Sequence, residues 1–374
     1  MAALGDKRPR AREFGVVTGL LPPGPNNAIT DVPGVSVGQV TVWWGDPPGS
    51  PGNGPARTGV TAIIPHPGNL FREKVRGAFH VINGYGKATG MAQIQELGTI
   101  ETPIVLTNTL SVGTAWDALC GYMMERTPEI GLTAGTVNPV VAECNDGYLN
   151  DIRGRHVKKE HVLEALEKAS TGPVIEGCVG AGTGMSCLGF KGGIGTSSRA
   201  LSGALAGRHL GVLTLANFGG AQDLLIAGVP VGVLLAEKRV DPPAPPGSIV
   251  TVVATDAPLS DRQLLRIAKR CQGGLARVGS TFGNGSGDFV LAFSTKNKVA
   301  HTSAKPFDDL EEPFVRDDSA EMASLFRASV EATEEAILNV LFAAVAVEGR
   351  NGHARRALPL EEVACILREH RVLR

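Results

Sequence analysis

The chain sets a hydroxyl where it could attack its own backbone. Asp241-Pro-Pro-Ala-Pro-Pro-Gly247-Ser248 runs without a spacer into Ile249-Val-Thr-Val-Val-Ala-Thr255. Proline continues neither a helix nor a central strand, so the connector is expected to be an exposed loop, with Ser248 as the first residue of a buried strand. A strand-first Ser after a small residue is the layout of chains that cleave themselves. The hydroxyl attacks the preceding carbonyl, and the new N-terminal residue then carries both a nucleophile and an α-amine. An α-amine titrates near about 7.7–8.0, so it can accept a proton close to neutrality. Gly-Ser is also ordinary turn chemistry. The assignment therefore needs partners elsewhere in the chain.

Three other segments pair polar groups with tight backbone. Val140-Val-Ala-Glu143-Cys-Asn145-Asp-Gly-Tyr148 reads as a strand entering a turn. Leu215-Ala-Asn217-Phe-Gly-Gly220 puts an amide at a strand end before paired glycines. Asn284-Gly-Ser286-Gly-Asp288 holds a hydroxyl and a carboxylate two residues apart, which extended backbone turns to the same side. Asn, Asp, Ser and Gly also dominate plain turns, so each segment alone has a structural reading as well.

Other chemistries find less support. Gly180-Ala-Gly182-Thr-Gly184-Met185 breaks the dinucleotide-loop pattern, because Met185 stands where the third glycine belongs. The glycine-rich stretch 177–195 is expected to pack closely against a site or a neighbouring strand. No H-E-x-x-H or G-x-S-x-G occurs. His156 and His161 read as a surface pair, Cys144 as a packed thiol, and no metal or other cofactor is expected.

Several elements must position these residues. Residues 1–25 read as a tail with a Pro-rich turn, followed by strand-like alternation around a Pro-Gly turn over 29–43. Short strands are expected at 58–64, 81–82, 104–107, 212–216, 229–235, 248–255 and 290–294. Trp116, Leu119, Cys120 and Met123 mark one face of a helix over 115–126. A helix over 159–169 turns Val162, Leu163 and Leu166 inward. Ser260-Asp-Arg-Gln263 is a capping box that opens a helix with Leu264, Ile267, Ala268, Cys271 and Leu275 on its buried face. A long helix over about 318–347 is apolar nearly all round in its second half, and a last helix ends near 371. Strands mixed with a few long helices fit a layered α+β domain.

Composition bounds the partners. The 374 residues carry a formal net charge of −1, which gives nucleic acid or an anionic membrane no electrostatic footing. No run of about 18 apolar residues is present, and no apolar segment follows the charged N-terminus. The six cysteines form no Cys-x-x-Cys pair, so buried free thiols and a cytoplasmic location are expected.

These segments together resemble the self-processing D-aminopeptidase/esterase and β-peptidyl aminopeptidase family. Ile29-Thr-Asp-Val-Pro-Gly-Val, Arg57-Thr-Gly-Val-Thr-Ala-Ile, Asn108-Thr-Leu-Ser-Val-Gly113, Asp146-Gly-Tyr-Leu-Asn-Asp151 and Phe190-Lys-Gly-Gly-Ile-Gly-Thr-Ser-Ser-Arg199 carry the likeness over nearly the whole chain. The resemblance implies one domain over 1–374. Its fold would be a four-layer αββα sandwich that looks like N-terminal-nucleophile hydrolases but has its own connectivity. It implies cleavage between Gly247 and Ser248 into 1–247 and 248–374, with Ser248 as nucleophile. Ser286 and Asp288 match a second serine and an acidic residue that is often Glu, one methylene longer. Asn217 matches the oxyanion-binding amide, with the Asn145 backbone N–H as second donor. Glu143 matches the carboxylate that holds the substrate's free amine. Relatives form tetramers of processed protomers and act on small peptides, amides or esters, releasing L-, D- or β-amino acids. The Ser248 amine and Ser286 backed by Asp288 both remain as candidates for the base. An acyltransferase of the ornithine-acetyltransferase kind and a non-catalytic binding protein of the same fold are the alternatives.

Overall fold

The computed structural model describes residues 8–236 and 247–373. The expected proline connector, through Pro246, lies outside the described residues. Two sheets face each other. One has the strand order β1-β2-β5-β6, formed by Ser36–Trp44, Ala56–Ile64, Ile104–Asn108 and Val140–Cys144. The other has the order β4-β3-β12-β11-β10-β9, formed by Thr99–Ile100, Glu73–Gly84, Gly287–Ala300, Ser248–Thr255, His209–Asn217 and Gly193–Ala200. Two short ribbons, β7–β8 (Ser186–Cys187 with Phe190–Lys191) and β13–β14 (Val347–Glu348 with Ala354–Arg355), flank them.

The period-2 alternation of the strands builds the layers. Leu213, Leu215, Val250, Val252, Leu291 and Phe293 of the larger sheet point inward and pack with Leu106, Val140 and Ala142 of the smaller one. Their neighbours Val212, Val253 and Val290 point outward onto helices α5 (Asp261–Arg277) and α6 (Ala320–Ala343). On the far side, Val60, Val105 and Val141 pack onto α2 (Val112–Arg126) and α3 (Lys159–Glu167). The result is the four-layer αββα sandwich. Of the smaller helices, α4 (Val231–Ala236) and α7 (Leu360–Glu369) pack with the second half of α6, and Ile94 of α1 (Met91–Leu97) joins the inter-sheet core. Among the described residues no helix is long and apolar enough to cross a membrane.

The expected helices and the β10–β11 pair recur within a few residues. The Ser260–Gln263 box caps α5: the Gln263 N–H donates to Ser260 Oγ at 3.3 Å and the Ser260 N–H to Gln263 Oε1 at 3.1 Å. The glycine-rich stretch packs as expected. A Cβ on Gly195 would stand 2.1 Å from the Ala336 carbonyl oxygen, so β9 lies directly on α6.

Several expectations need correction. The run from Val229 is not a strand; it becomes α4, which begins just after Pro230, a residue suited to a helix start. Short apolar runs do not separate the two states by periodicity. Residues 29–31 form a 3-10 turn, and the strand begins only at Ser36. The long helix stops at Ala343. In α2 the buried stripe is Ala115, Ala118, Leu119 and Met123, and Trp116 is exposed. Only Cys144, Cys187 and Cys271 of the six cysteines are buried, and Cys365 is exposed.

The N-terminal segment from residue 8 is no loose tail. Ala11 and Val16 are fully buried. Arg12 meets Glu335 of α6 at 2.6 Å, and Glu335 also takes the buried Arg199 guanidinium at 2.8 Å. Arg199 reaches Glu331 at 3.3 Å. Removing one partner from such a group strands a charge in a dry interior. Arg199→Leu should therefore destabilise the fold by about 3–5 kcal/mol, read as a lower urea midpoint; an unchanged midpoint would show that the network carries no weight.

Candidate active site

Backbone register gathers the polar segments at one end of the sandwich. Ser248 opens β11 between two neighbours. It lies opposite Asn217, the last residue of β10, in antiparallel register, and opposite Gly287, the first residue of β12, in parallel register. The Gly287 N–H donates to Ser248 Oγ at 3.1 Å. All eight residues of β11 are buried.

Gly247 precedes the strand under tight constraint. A Cβ there would stand 1.9 Å from the Asn217 carbonyl oxygen and 2.6 Å from the Phe218 Cα. Only glycine brings this backbone so close to the end of β10. A cavity of about 340 Å³ opens beside it, lined by Phe218, Gly219, Gly247, Phe282, Gly285 and Ser286.

Ser286 and Asp288 face the same side, as their spacing predicts. The Ser286 hydroxyl donates to Asp288 Oδ1 at 2.5 Å, so the shorter aspartate reaches its serine. Burial raises the Asp288 pKa; the Ser286 hydrogen bond and the Ile249 backbone amide oppose that shift.

Asn217 is locked in a two-sided clasp. Its Oδ1 accepts from the Ser186 N–H at 2.8 Å, and its Nδ2 donates to the Asn145 carbonyl at 3.0 Å. The first bond fixes which end of the amide is nitrogen. An amide NH₂ has two hydrogens, so one remains for another acceptor. Asn145 is exposed, and the turn it begins is anchored from beneath by Asp146. Asp146 is fully buried, accepts from Asn150 Nδ2 at 3.0 Å, and is pushed up to about 7 by burial.

Glu143 ends β6 with only 2% of its surface exposed. The Thr109 hydroxyl donates to its Oε2, and the Lys87 backbone N–H donates to its Oε1 at 2.9 Å. Burial raises its pKa, against the pull of these two donors and the Lys87 charge. A half-satisfied buried carboxylate of this kind gains most from a cation.

The larger sheet and the turn before β12 thus carry Ser248, Asn217, Asp288 and Ser286, the end of β6 and its turn carry Glu143 and Asn145, and the Asn217–Asn145 bond joins the two groups. Residue types did not reveal Thr109, Ser186 or Lys87. Thr109 lies in the Asn108–Gly113 stretch, but nothing local marks it as a holder of Glu143, and Lys87 acts through its backbone. His156 and His161 do not form a surface pair. His156 is buried edge-on against Trp44 and 3.5 Å from Asp151, while His161 Nδ1 accepts from the Lys158 N–H.

Asn217→Ala should lower stability by about 1–3 kcal/mol, because it leaves the buried Ser186 N–H without an acceptor. Asn217→Asp keeps that acceptor but sets a carboxylate oxygen against the Asn145 carbonyl, so it should also lose stability. Urea unfolding of both variants checks this, and an unchanged midpoint in either would contradict the clasp.

Comparison with known proteins gives this geometry a context. The model of peptidase family S58 matches residues 27–355. The β-peptidyl aminopeptidase BapA of Sphingosinicella microcystinivorans is 42% identical, over 98% of this chain and 93% of its own. The crystal structure of the PH0078 protein from Pyrococcus horikoshii OT3 superposes with a TM-score of 0.91 at 51% identity, covering 97% of this chain and 99% of that one. The L-aminopeptidase D-Ala-esterase/amidase of Ochrobactrum anthropi, described as a prototype of the serine aminopeptidases and a variant of the Ntn-hydrolase fold, superposes at 0.88 with 39% identity, over 98% of this chain and all of that one. The match spans nearly the whole length of each, and the chain belongs to peptidase family S58, the peptide-bond hydrolases whose fold it shares.

Proposed function

We propose that this protein is a self-processed aminopeptidase that also accepts amides and esters, with Ser248 as its N-terminal nucleophile. The observation that carries the reading is the place of Ser248. It begins a buried strand after a glycine that sterics enforce, flanked by Asn217 and by the Ser286–Asp288 pair.

Processing comes first. The Ser248 hydroxyl attacks the Gly247 carbonyl, the peptide nitrogen leaves as the Ser248 α-amine, and water releases 1–247 from 248–374. The freed amine then stands on the nucleophile's own residue. In turnover, that amine or Ser286 backed by Asp288 takes the hydroxyl proton, and Ser248 Oγ attacks the carbonyl of the substrate's first residue. The second hydrogen of Asn217 Nδ2, with the Asn145 N–H, meets the charge that grows on the carbonyl oxygen. An acyl-enzyme forms, the amine product leaves, and water completes hydrolysis. Glu143 pairs with the substrate's ammonium group, which favours substrates with a free N-terminus. The cavity lined by Gly247 and Ser286 adjoins this end of β11. The curated relative named for β-peptides and the solved relative named for L-amino acid and D-Ala substrates support this class of acyl group. A tetramer of processed protomers and a cytoplasmic location complete the proposal.

Ser248→Ala should remain one chain of 39.0 kDa and lose turnover, while the wild type should run as fragments of about 26 and 13 kDa, its shares on either side of the Gly247–Ser248 bond. A fully active, uncut wild type on denaturing electrophoresis would overturn the mechanism.

Losing one pre-aimed oxyanion donor costs about 10²–10³ in kcat, so Asn217→Ala should lose that much on an amino-acid p-nitroanilide with little change in KM.

Protonating Glu143 ends its pairing with an ammonium. Because its pKa is raised, KM for a free-amine amide should climb as pH falls through a value above the ordinary glutamate range. An ester without an amine should lack that limb; the same limb on both substrates would contradict the assignment.

A further inference from the structure

One short segment connects the two halves of the site. β3 ends at Gly84, paired with Gly287 of β12. The Tyr85 N–H then donates to the Ser286 carbonyl at 3.2 Å, and Asn83 Nδ2 donates to the same oxygen. Two residues further on, the Lys87 N–H donates to Glu143 Oε1 at 2.9 Å. Ala88 bridges Ala142 of β6, and the Thr89 N–H donates to the Val141 carbonyl at 2.8 Å. The chain thus steps from the sheet that holds Ser248 to the sheet that holds Glu143 through Tyr85-Gly86-Lys87, with both ends tied down.

The middle of that step is sterically set. A Cβ on Gly86 would stand 2.7 Å from Phe289 Cε2 and 3.1 Å from the Gly287 Cα. A Cβ on Gly287 would stand 2.7 Å from the Gly86 Cα. Two glycines pack backbone to backbone, and one of them, Gly287, is the residue paired with Ser248. The pairing of β3 with β12 also shifts register between Asp288 and Phe289, a bulge that turns the strand end at this point.

We propose that the Tyr85–Lys87 crossing is a ruler. It sets the separation between the Glu143 carboxylate and the Ser248 hydroxyl, and so determines whether α- or β-aminoacyl groups fit. This rests on the reading of Glu143 as the amine holder and Ser248 as the nucleophile. The two substrate classes differ by one backbone methylene between the ammonium and the reacting carbonyl. With Glu143 holding one end and Ser248 attacking the other, only one spacing suits each class. Gly86 and Lys87 are positioning residues here: they act through Glu143 and through backbone contact, not on the substrate.

Gly86→Ala tests the ruler. Its Cβ faces β12, so the crossing must lift away from that strand and carry the Lys87 N–H, with Glu143, away from Ser248. A longer gap favours the longer substrate. The ratio of kcat/KM for β-alanyl p-nitroanilide over L-alanyl p-nitroanilide should rise about tenfold or more, within the roughly 10–200-fold that one methylene is worth in a fitted site. The change should fall mainly on KM. Hydrolysis of p-nitrophenyl acetate, which has no amine, should stay within about twofold of wild type. Adding Phe289→Leu, which removes the ring that the new Cβ meets, should bring the ratio back. If Gly86→Ala does not fold, one glycine inserted between Gly86 and Lys87 lengthens the crossing without a side chain and should raise the same ratio. An unchanged or lowered ratio in the folded variant, with wild type active on either amide, overturns the ruler alone. A wild type that hydrolyses neither amide overturns the proposed function and the ruler together.

Discussion

The site depends on the register of three strand ends. β10 finishes where β11 starts, and β12 starts on the other side of β11, so Asn217, Ser248 and Gly287 lie in a row with Ser248 in the middle. Backbone hydrogen bonds hold this register across eight residues of β11, all of them buried. A slip of one residue would turn Leu213, Val250 and Leu291 out of the inter-sheet core, so the hydrophobic layers defend the alignment of the polar ends. The proposed nucleophile is thus aimed by packing energy spread over the whole sandwich.

The second sheet contributes what the first cannot. Its strand β6 brings a buried carboxylate and a turn to the same end, and Asn217 clasps that turn across the gap at 3.0 Å. Glu143 is held by a hydroxyl and one backbone amide, and its raised pKa records the cost of burying it without a cation. A free ammonium would relieve that cost. On this account specificity for N-termini and the strain of an unpaired acid are one feature. The ion network of Arg199, Glu331, Glu335 and Arg12 is the opposite case: its charges are matched within the fold, and it ties the N-terminal segment to α6.

Much of this was legible in the sequence because it rests on local rules. The capping box at Ser260, the apolar face of α5 and the β-branched run after Ser248 all follow from periodicity and local hydrogen bonding. The two-residue spacing of Ser286 and Asp288 carries over directly, since extended chain repeats every two residues. The parts that escaped depend on distant contacts. Val231–Ala236 is a helix because Pro230 starts it and the outer core takes its apolar side chains. Trp116 sits one helical step outside the stripe that α2 turns to the sheet. The roles of Thr109 and of the Lys87 amide need a carboxylate more than thirty residues away in the chain. No local pattern marks a residue that acts through its backbone across two sheets.

The central claim is that Ser248, as an N-terminal residue, takes the acyl group. Acid-quenched intact-mass analysis of the purified protein during turnover of an aminoacyl ester tests it most directly. The account predicts that the fragment beginning at Ser248 gains the mass of one aminoacyl group, and that peptide mapping finds it on Ser248. An acyl group on any other residue, or on a chain whose Gly247–Ser248 bond is intact, would contradict it.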